Sequence, residues 1–155
     1  MKRWLWYLAA VLLVAALGWM PFAGTDVAKL QPVEVIRVGV EDGLIRVETD
    51  TGGSGNGADL AEAFADLKAS AAGTVFLETA DYLLVSHDAQ SLLEPLGTYL
   101  RPACGICLES GVADLEMVAD FLSTHEPGMT LQEYRAGKQN LPELSVREGR
   151  MYLVS

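Results

Sequence analysis

The chain has few cysteines, few histidines and few basic residues. Two cysteines in 155 residues cannot form the disulfide framework of a small secreted domain. The two histidines, His87 and His125, have no second nearby ligand in the sequence, so no metal and no cofactor site is predicted. Lysine and arginine number 11 against 21 acidic residues, a balance that disfavours nucleic acid and anionic lipid headgroups as partners. A solvated acidic surface explains the charge, and a basic protein partner is compatible with it.

Charge is also missing from a long stretch near the start. Lys2 and Arg3 are followed by 19 uncharged residues, Trp4 to Phe22. At 1.5 Å per residue such a helix spans the roughly 30 Å core of a bilayer, whereas a signal-peptide core usually has about 7 to 15 residues. Aromatic side chains at both ends and the two cations favour a membrane helix whose N-terminus stays cytoplasmic. Residues 1–23 are therefore predicted to be a membrane anchor or uncleaved signal segment, with the rest of the chain extracytoplasmic.

Cleavage is the competing interpretation of this segment. Ala16-Leu17-Gly18 has the small-x-small pattern that would let a signal peptidase cut after Gly18. A buried core helix is a third interpretation. Attachment through lipid is excluded, because no cysteine follows the apolar run before Cys104.

The remaining chain has the size of one domain. Residues 24–32 are predicted to be a connector and residues 33–155 a single extracytoplasmic domain. The 132 residues that follow the anchor hold nine basic and 21 acidic side chains, a formal charge of −12. The domain is therefore expected to be strongly acidic.

Alternating and β-branched residues predict the strands. Val33 to Val40 and Leu44 to Thr49 form a hairpin around Glu41-Asp42-Gly43. Thr74–Leu77 and Tyr82–Val85 are predicted to be one strand interrupted at Glu78 to Asp81, or two short strands. Cys104–Leu108 is predicted to be a further strand, and a second hairpin, Leu144 to Val154, turns at Glu148-Gly149. Between the first hairpin and the first helix, Asp50 to Gly57 (DTGGSGNG) is predicted to be a flexible surface connector.

Apolar residues at helical spacing predict three main helices. Asp59 caps the first, which ends at Gly73; the second covers Leu92 to Leu100 and stops before Pro102. The third runs from about Asp114 to His125. Thr130 and Glu133 have capping-box spacing and start a short helix that ends before Gly137.

These elements predict an α/β domain, a mixed β-sheet with three main helices packed on it, preceded by one transmembrane helix. Crossover handedness tends to gather helices on one face. The other face would then leave an apolar patch of Val33, Val35, Leu44 and Val47. The possibilities left open are cover by the last helix, cover by the second hairpin, docking of an envelope protein, and exposure to water.

Cys104-Gly105-Ile106-Cys107 is a C-x-x-C motif, which suggests a thiol-disulfide oxidoreductase with Cys104 as nucleophile and Cys107 as resolving thiol. Such a nucleophile begins a helix, whereas here Pro102 precedes the motif and Ser110-Gly111 closes it. In a strand, residues three apart are separated by about 10 Å and point to opposite faces, which excludes a disulfide. Two structural thiols in a core strand are therefore the preferred interpretation.

Two further patterns resemble catalytic or binding motifs but are predicted to be an ordinary turn and a connector. Asp50-Thr51-Gly52 is the tripeptide of aspartic proteases, but only one copy is present, and a symmetric dimer would have to supply the second. Gly53, Gly55 and Gly57 lie between a strand and a helix, as phosphate-binding loops do. No Lys-Ser/Thr pair follows them, and Asp50 and Asp59 add negative charge. The sequence thus names no catalytic residue outside the cysteine pair.

The order of the elements resembles a known family. A hairpin and a Gly/Ser-rich loop are followed by the helix LAEAFADLK, the strand VFLETADYLLVS and a helix ending in YLRP. This succession resembles the N-terminal domain of the C subunit of spore germinant receptors, over about residues 33–125. Leu60, Glu62, Ala63 and Leu67 match its first helix, and Arg101 falls near an arginine that often follows its second, whereas Glu78 and Thr79 replace its glycine-histidine pair.

The resemblance implies a non-enzymatic, extracytoplasmic protein that assembles with membrane partners. Combined with the anchor, it predicts a membrane-anchored binding or scaffold domain of the cell envelope, linked to sporulation or spore germination. The exported oxidoreductase that uses Cys104 and Cys107 is the alternative function.

Overall fold

The computed structural model describes residues 30–111 and 114–154. Within them lie nine strands and four α-helices. The strands are β1 (Leu30–Pro32), β2 (Val35–Glu41), β3 (Leu44–Thr49), β4 (Ser54–Gly57), β5 (Thr74–Phe76), β6 (Tyr82–Ser86), β7 (Gly105–Ser110), β8 (Glu143–Arg147) and β9 (Arg150–Val154). The helices are α1 (Leu60–Ser70), α2 (Leu93–Leu96), α3 (Leu115–Thr124) and α4 (Leu131–Arg135), with 3₁₀ turns at Leu77–Thr79 and His87–Leu92.

Seven strands form one mixed sheet in the order β4-β3-β2-β6-β7-β8-β9. The four central strands are parallel, while β3 and β4 on one side and β9 on the other are antiparallel to their neighbours. β1 and β5 form a separate parallel pair. The predicted α/β class with a mixed sheet is therefore confirmed. The predicted connector is too long, because its last three residues form β1.

Both predicted hairpins are present. Asp42 and Gly43 have positive φ values of 53° and 80°, and Glu148 and Gly149 have values of 50° and 73°. Two consecutive residues with positive φ give a turn whose twist matches that of the flanking strands. The turn fixes the register, so that Val38 lies opposite Val47 in the first hairpin.

The glycine-rich segment is not a flexible connector. Ser54–Gly57 forms β4, which pairs with β3 and lies against α1. A Cβ atom on Gly55 would lie 2.3 Å from the Ala63 carbonyl oxygen, and one on Gly57 would lie 2.4 Å from the Ala63 nitrogen. These glycines therefore let helix and strand backbones approach each other. The lack of side chains at Gly55 and Gly57 suggested a loop, but close packing of β4 against α1 requires it.

The helices follow their predicted caps, with one exception. The Asp59 carboxylate accepts from the Glu62 N–H at the start of α1, and Thr130 and Glu133 form the predicted capping box of α4. Asp114 caps α3. The second helix is far shorter than predicted, because Pro95 lacks an N–H donor and Gly97 has low helix propensity.

The two faces of the sheet carry separate cores. On one face, α1, α2 and α4 pack over side chains such as Ile36, Leu83 and Ile106. On the other, α3 packs over Val35 and Leu84. The connection from β7 to β8 contributes a helix to each face of the sheet. It first forms α3 on the second face, and then passes through Met129 to α4 on the first face. Of the outcomes that crossover handedness left open, cover of the second face by a helix, α3, is the one that the structure has.

The expected bare patch is wrong. Val33, Val35 and Val47 are fully buried, and they lie in two different cores; only Leu44 is exposed. Val33 precedes β2, so it does not share the register of Val35. Helix α3 provides most of the cover on the second face, with Met151 and Leu153 of the second hairpin at its margin.

The predicted anchor, residues 1–23, lies outside the described residues. Among the residues that are described, no helix is long and apolar enough to cross a membrane. The first described strand, β1, leads through Val33 and Glu34 into the amino end of β2. The chain thus enters the domain at the amino ends of the parallel strands.

Candidate functional site

The structure separates the two cysteines of the C-x-x-C motif. Cys104 directly precedes β7 and packs in the core beneath α1 and α4, whereas Cys107 lies on β7 and faces α3. Both are free thiols and both are buried. Both thiols are therefore core residues, although Cys104 lies just before β7 and not within the strand that was predicted to begin there.

Burial also lowers the reactivity of these thiols. It raises the pKa of Cys104 to about 12, against a smaller opposing effect of Arg101. It raises the pKa of Cys107 to about 12 as well, with a further contribution from the Glu109 carboxylate. A thiolate is the nucleophilic form, and these environments disfavour it near neutral pH.

We expect Cys104→Ser and Cys107→Ser each to lower the free energy of unfolding by about 1 to 3 kcal/mol, because each variant buries a hydroxyl. Because both side chains are buried, neither position is expected to tolerate serine. Urea denaturation measures the cost. Alkylation at pH 8 should modify neither thiol until the protein is denatured, and rapid modification of the native protein would contradict this account.

The other sequence candidates have structural roles. The Asp50 carboxylate accepts the Glu34 N–H at 3.2 and 3.3 Å, which ties the turn after β3 to the start of β2. The His87 ring lies 3.7 Å from Glu143, and His125 stacks on Phe121 at the end of α3. No group of three metal-ligating side chains occurs within residues 30–111 and 114–154.

A line of alternating charges crosses the second face of the sheet, next to the amino-terminal end of α3. We call it the charge ladder; it consists of Glu41, Arg46, Glu48, Arg37 and Glu109. Arg37 bridges Glu48 at 2.8 Å and Glu109 at 3.1 Å. Arg46 bridges Glu41 and Glu48, each at 2.8 Å. Strands β2, β3 and β7 thus each contribute to one connected ion-pair network.

The charge ladder lines a cleft of about 430 Å³ near the carboxyl ends of the parallel strands. Gly39 and Ser86 also line the cleft, and Asp88 lies at its margin. Gly39 leaves room for the ladder, and a Cβ there would lie 3.5 Å from the Ser86 oxygen. That oxygen is buried and has no hydrogen-bond partner among the described residues. Ligands of open α/β sheets commonly bind at this end of the strands.

The charged groups of the cleft are held by one another. Burial raises the pKa of Glu109, an effect that Arg37 opposes through its charge and its hydrogen bond. The carboxylates and guanidinium groups already pair with one another, so they hold fixed charges at defined positions. The Ser86 hydroxyl contacts no base in the described part of the chain, which leaves it without the activation a nucleophile needs.

Comparison with known proteins gives no relative. No family model, no curated protein and no solved structure matches the chain. The resemblance to the germinant receptor C subunit therefore stays a prediction.

Part of the charge ladder could have been predicted from the sequence. A two-residue turn at Asp42-Gly43 puts Arg37 opposite Glu48, as the structure has them. Glu109 could not be found in this way, because it lies 72 residues from Arg37 and reaches it only through the register of β6 and β7.

Proposed function

We propose that this chain is a membrane-anchored, extracytoplasmic binding or scaffold domain of the cell envelope, linked to sporulation or spore germination. The uncharged stretch from Trp4 to Phe22 supports the anchor, and the order of the elements supports the envelope role. The buried, opposed cysteines argue against the oxidoreductase alternative.

The observation that carries this proposal is the direction in which the chain enters the domain. Seven residues, 23–29, separate the apolar stretch from β1, and such a link reaches at most about 25 Å. It leads to the amino ends of the parallel strands, whereas the charge ladder lies towards their carboxyl ends. A domain held in this way would turn its amino ends to the membrane and offer the cleft and its neighbouring surfaces to a partner.

Retention of the anchor is the first test. We expect protein recovered from washed membranes to have the intact mass of the full chain, because 19 uncharged residues are long enough to span the bilayer. Protease added outside intact cells should digest the domain. Deletion of residues 4–22 should leave the protein in the cytoplasm, protected from that protease.

A matched variant controls for peripheral attachment. Replacing Leu12 and Leu13 by lysine should abolish insertion without shortening the chain, since each charge at a helix centre costs about 2.5 to 3.5 kcal/mol. A mature N-terminus at Trp19 or later, or release of the unmodified protein by carbonate, would contradict the anchor. Cross-linking of the anchored protein in its native membrane then tests the envelope partner.

A further inference from the structure

The two edge strands of the seven-stranded sheet, β4 and β9, differ in whether their outer backbone groups have hydrogen-bond partners among the described residues. Along β4, the Asp66 carboxylate accepts the Asn56 N–H at 2.9 Å, and the Ser70 hydroxyl donates to the Ser54 carbonyl at 2.7 Å. Helix α1 thus closes that edge. Along β9, no hydrogen bond reaches the outer side of the strand from any other part of residues 30–111 or 114–154. An open edge of this kind is a template for another strand.

The hairpin register identifies the free backbone groups. Arg147 and Arg150 flank the two-residue turn and exchange hydrogen bonds, and the pairs alternate from there along the antiparallel ladder. Ser145 and Tyr152 therefore bond to each other, while the N–H and C=O groups of Met151 and Leu153 point away from β8. An added strand would find two donors and two acceptors at these positions.

Apolar side chains accompany this edge. Six large hydrophobic side chains are more than a third exposed in the described part of the chain, and three belong to this hairpin: Val146, Tyr152 and Val154. Met151 and Leu153 are partly buried beside them. Tyr152 and Val154 share the face of Arg150, and Met151 and Leu153 lie on the opposite face, where the apolar residues of an added strand would pack.

The charge at the tip of the hairpin indicates what kind of strand fits. Arg147 and Arg150 lie directly opposite each other and both are exposed. Like charges in facing positions destabilise a sheet. Neither arginine has an ion pair with any described residue, in a chain whose net charge is −10. A carboxylate beside this pair would reduce the repulsion.

We propose that the β9 edge binds an extended segment of another protein that alternates apolar and acidic residues, by strand addition. The backbone of Met151 and Leu153 pairs with the added strand, and a carboxylate of that strand lies beside Arg150, whose side chain shares its face of the sheet with Arg147. A second copy of this chain fits less well, because β9 itself has no acidic residue. Pairing of two β9 strands about Tyr152 would leave all four arginines without a carboxylate.

The proposal deepens the binding role proposed above and rests on it. The test uses the full chain in detergent micelles. The probes are a fluorescent peptide of alternating glutamate and valine, about eight residues long as an ordinary strand is, and the same peptide with lysine for glutamate. We expect the glutamate peptide to bind at least about tenfold more tightly than the lysine peptide, and to slow hydrogen exchange at the Met151 and Leu153 amides.

Charge reversal is the decisive variant. Arg147→Glu with Arg150→Glu should reverse the preference in favour of the lysine peptide. Met151→Pro should weaken binding of both peptides, since it removes an outward donor and leaves the pairing with β8 intact. Lys68→Ala is the matched control, because Lys68 is exposed on α1, has no ion pair with a described residue and lies away from β9; it should bind like the unaltered protein.

Several results would overturn the proposal. These are failure of the glutamate peptide to bind, equal binding of the two peptides, an unchanged preference after charge reversal, or unchanged exchange at Met151 and Leu153. A dimer that protects those two amides without peptide would assign the edge to a second copy instead. Loss of the anchor in the membrane experiment would contradict the proposed function while leaving this edge proposal standing, so the two failures are distinguishable.

Discussion

Gly55→Ala is expected to unfold the domain or to lower its free energy of unfolding by more than about 3 kcal/mol. The added Cβ would lie 2.3 Å from the Ala63 carbonyl oxygen and 2.3 Å from the Leu67 nitrogen. Both are backbone atoms of α1, so the clash cannot be relieved by a side-chain rotation. Total stabilities of about 5 to 15 kcal/mol are usual, so the loss is a large fraction. Urea denaturation followed by far-ultraviolet circular dichroism measures it.

Gly128→Ala is the matched control for this experiment. A Cβ at Gly128 meets no atom within 4 Å, and its φ is not positive, so the change should stay within about 0.5 kcal/mol. Gly57→Ala should behave like Gly55→Ala, since its Cβ would meet the Ala63 nitrogen at 2.4 Å. Equal stability of the Gly55 and Gly128 variants would show that β4 does not lie against α1.

Elements with local signals could be predicted from the sequence. The turns at Asp42-Gly43 and Glu148-Gly149, the cap at Asp59 and the capping box at Thr130 all depend on residues within a few positions of one another. Their physics is short-range, so spacing alone identifies them.

Elements that depend on distant packing could not be predicted in this way. The sequence of β4 is typical of a loop because it has no apolar side chains. Its glycines let the strand lie directly against the backbone of α1, and hydrophobic periodicity does not reveal such a backbone contact. The helix α3 was predicted, but the face of the sheet on which it lies was not. That face depends on where the chain crosses back to the first core, which it does at Met129. The cleft depends on Glu109, which only the parallel register brings to Arg37.

Arg37→Met is expected to lower the free energy of unfolding by about 2 to 3 kcal/mol near pH 7. The substitution leaves the Glu109 carboxylate without its partner, in a site where its side chain is only 14% exposed. Breaking a fully buried pair costs about 3 to 5 kcal/mol, and the partial exposure of this one reduces the effect. Urea denaturation of the variant and the unaltered protein, compared at several pH values, measures the difference.

The stability loss caused by Arg37→Met should depend on pH, because it comes from the charge on Glu109. Burial already raises the pKa of Glu109 above its usual value of 4.5, and loss of Arg37 removes the two effects that oppose the rise. A raised pKa in the folded state means that the folded protein binds the proton more tightly, so stability falls as the pH rises from the usual value through the raised one. The difference between Arg37→Met and the unaltered protein should therefore be largest near pH 7 and shrink below about pH 4.5.

Two variants separate this effect from loss of packing. Adding Glu109→Gln to Arg37→Met removes the unpaired charge and should recover much of the stability, with little remaining pH dependence in the difference. Arg46→Met removes the other arginine of the charge ladder, whose side chain is 43% exposed, and should cost no more than about 1 kcal/mol. If Arg37→Met were as mild as Arg46→Met at every pH, the pairing of Arg37 with Glu109 would not stabilise the fold, and the charge ladder would be an ordinary solvated surface.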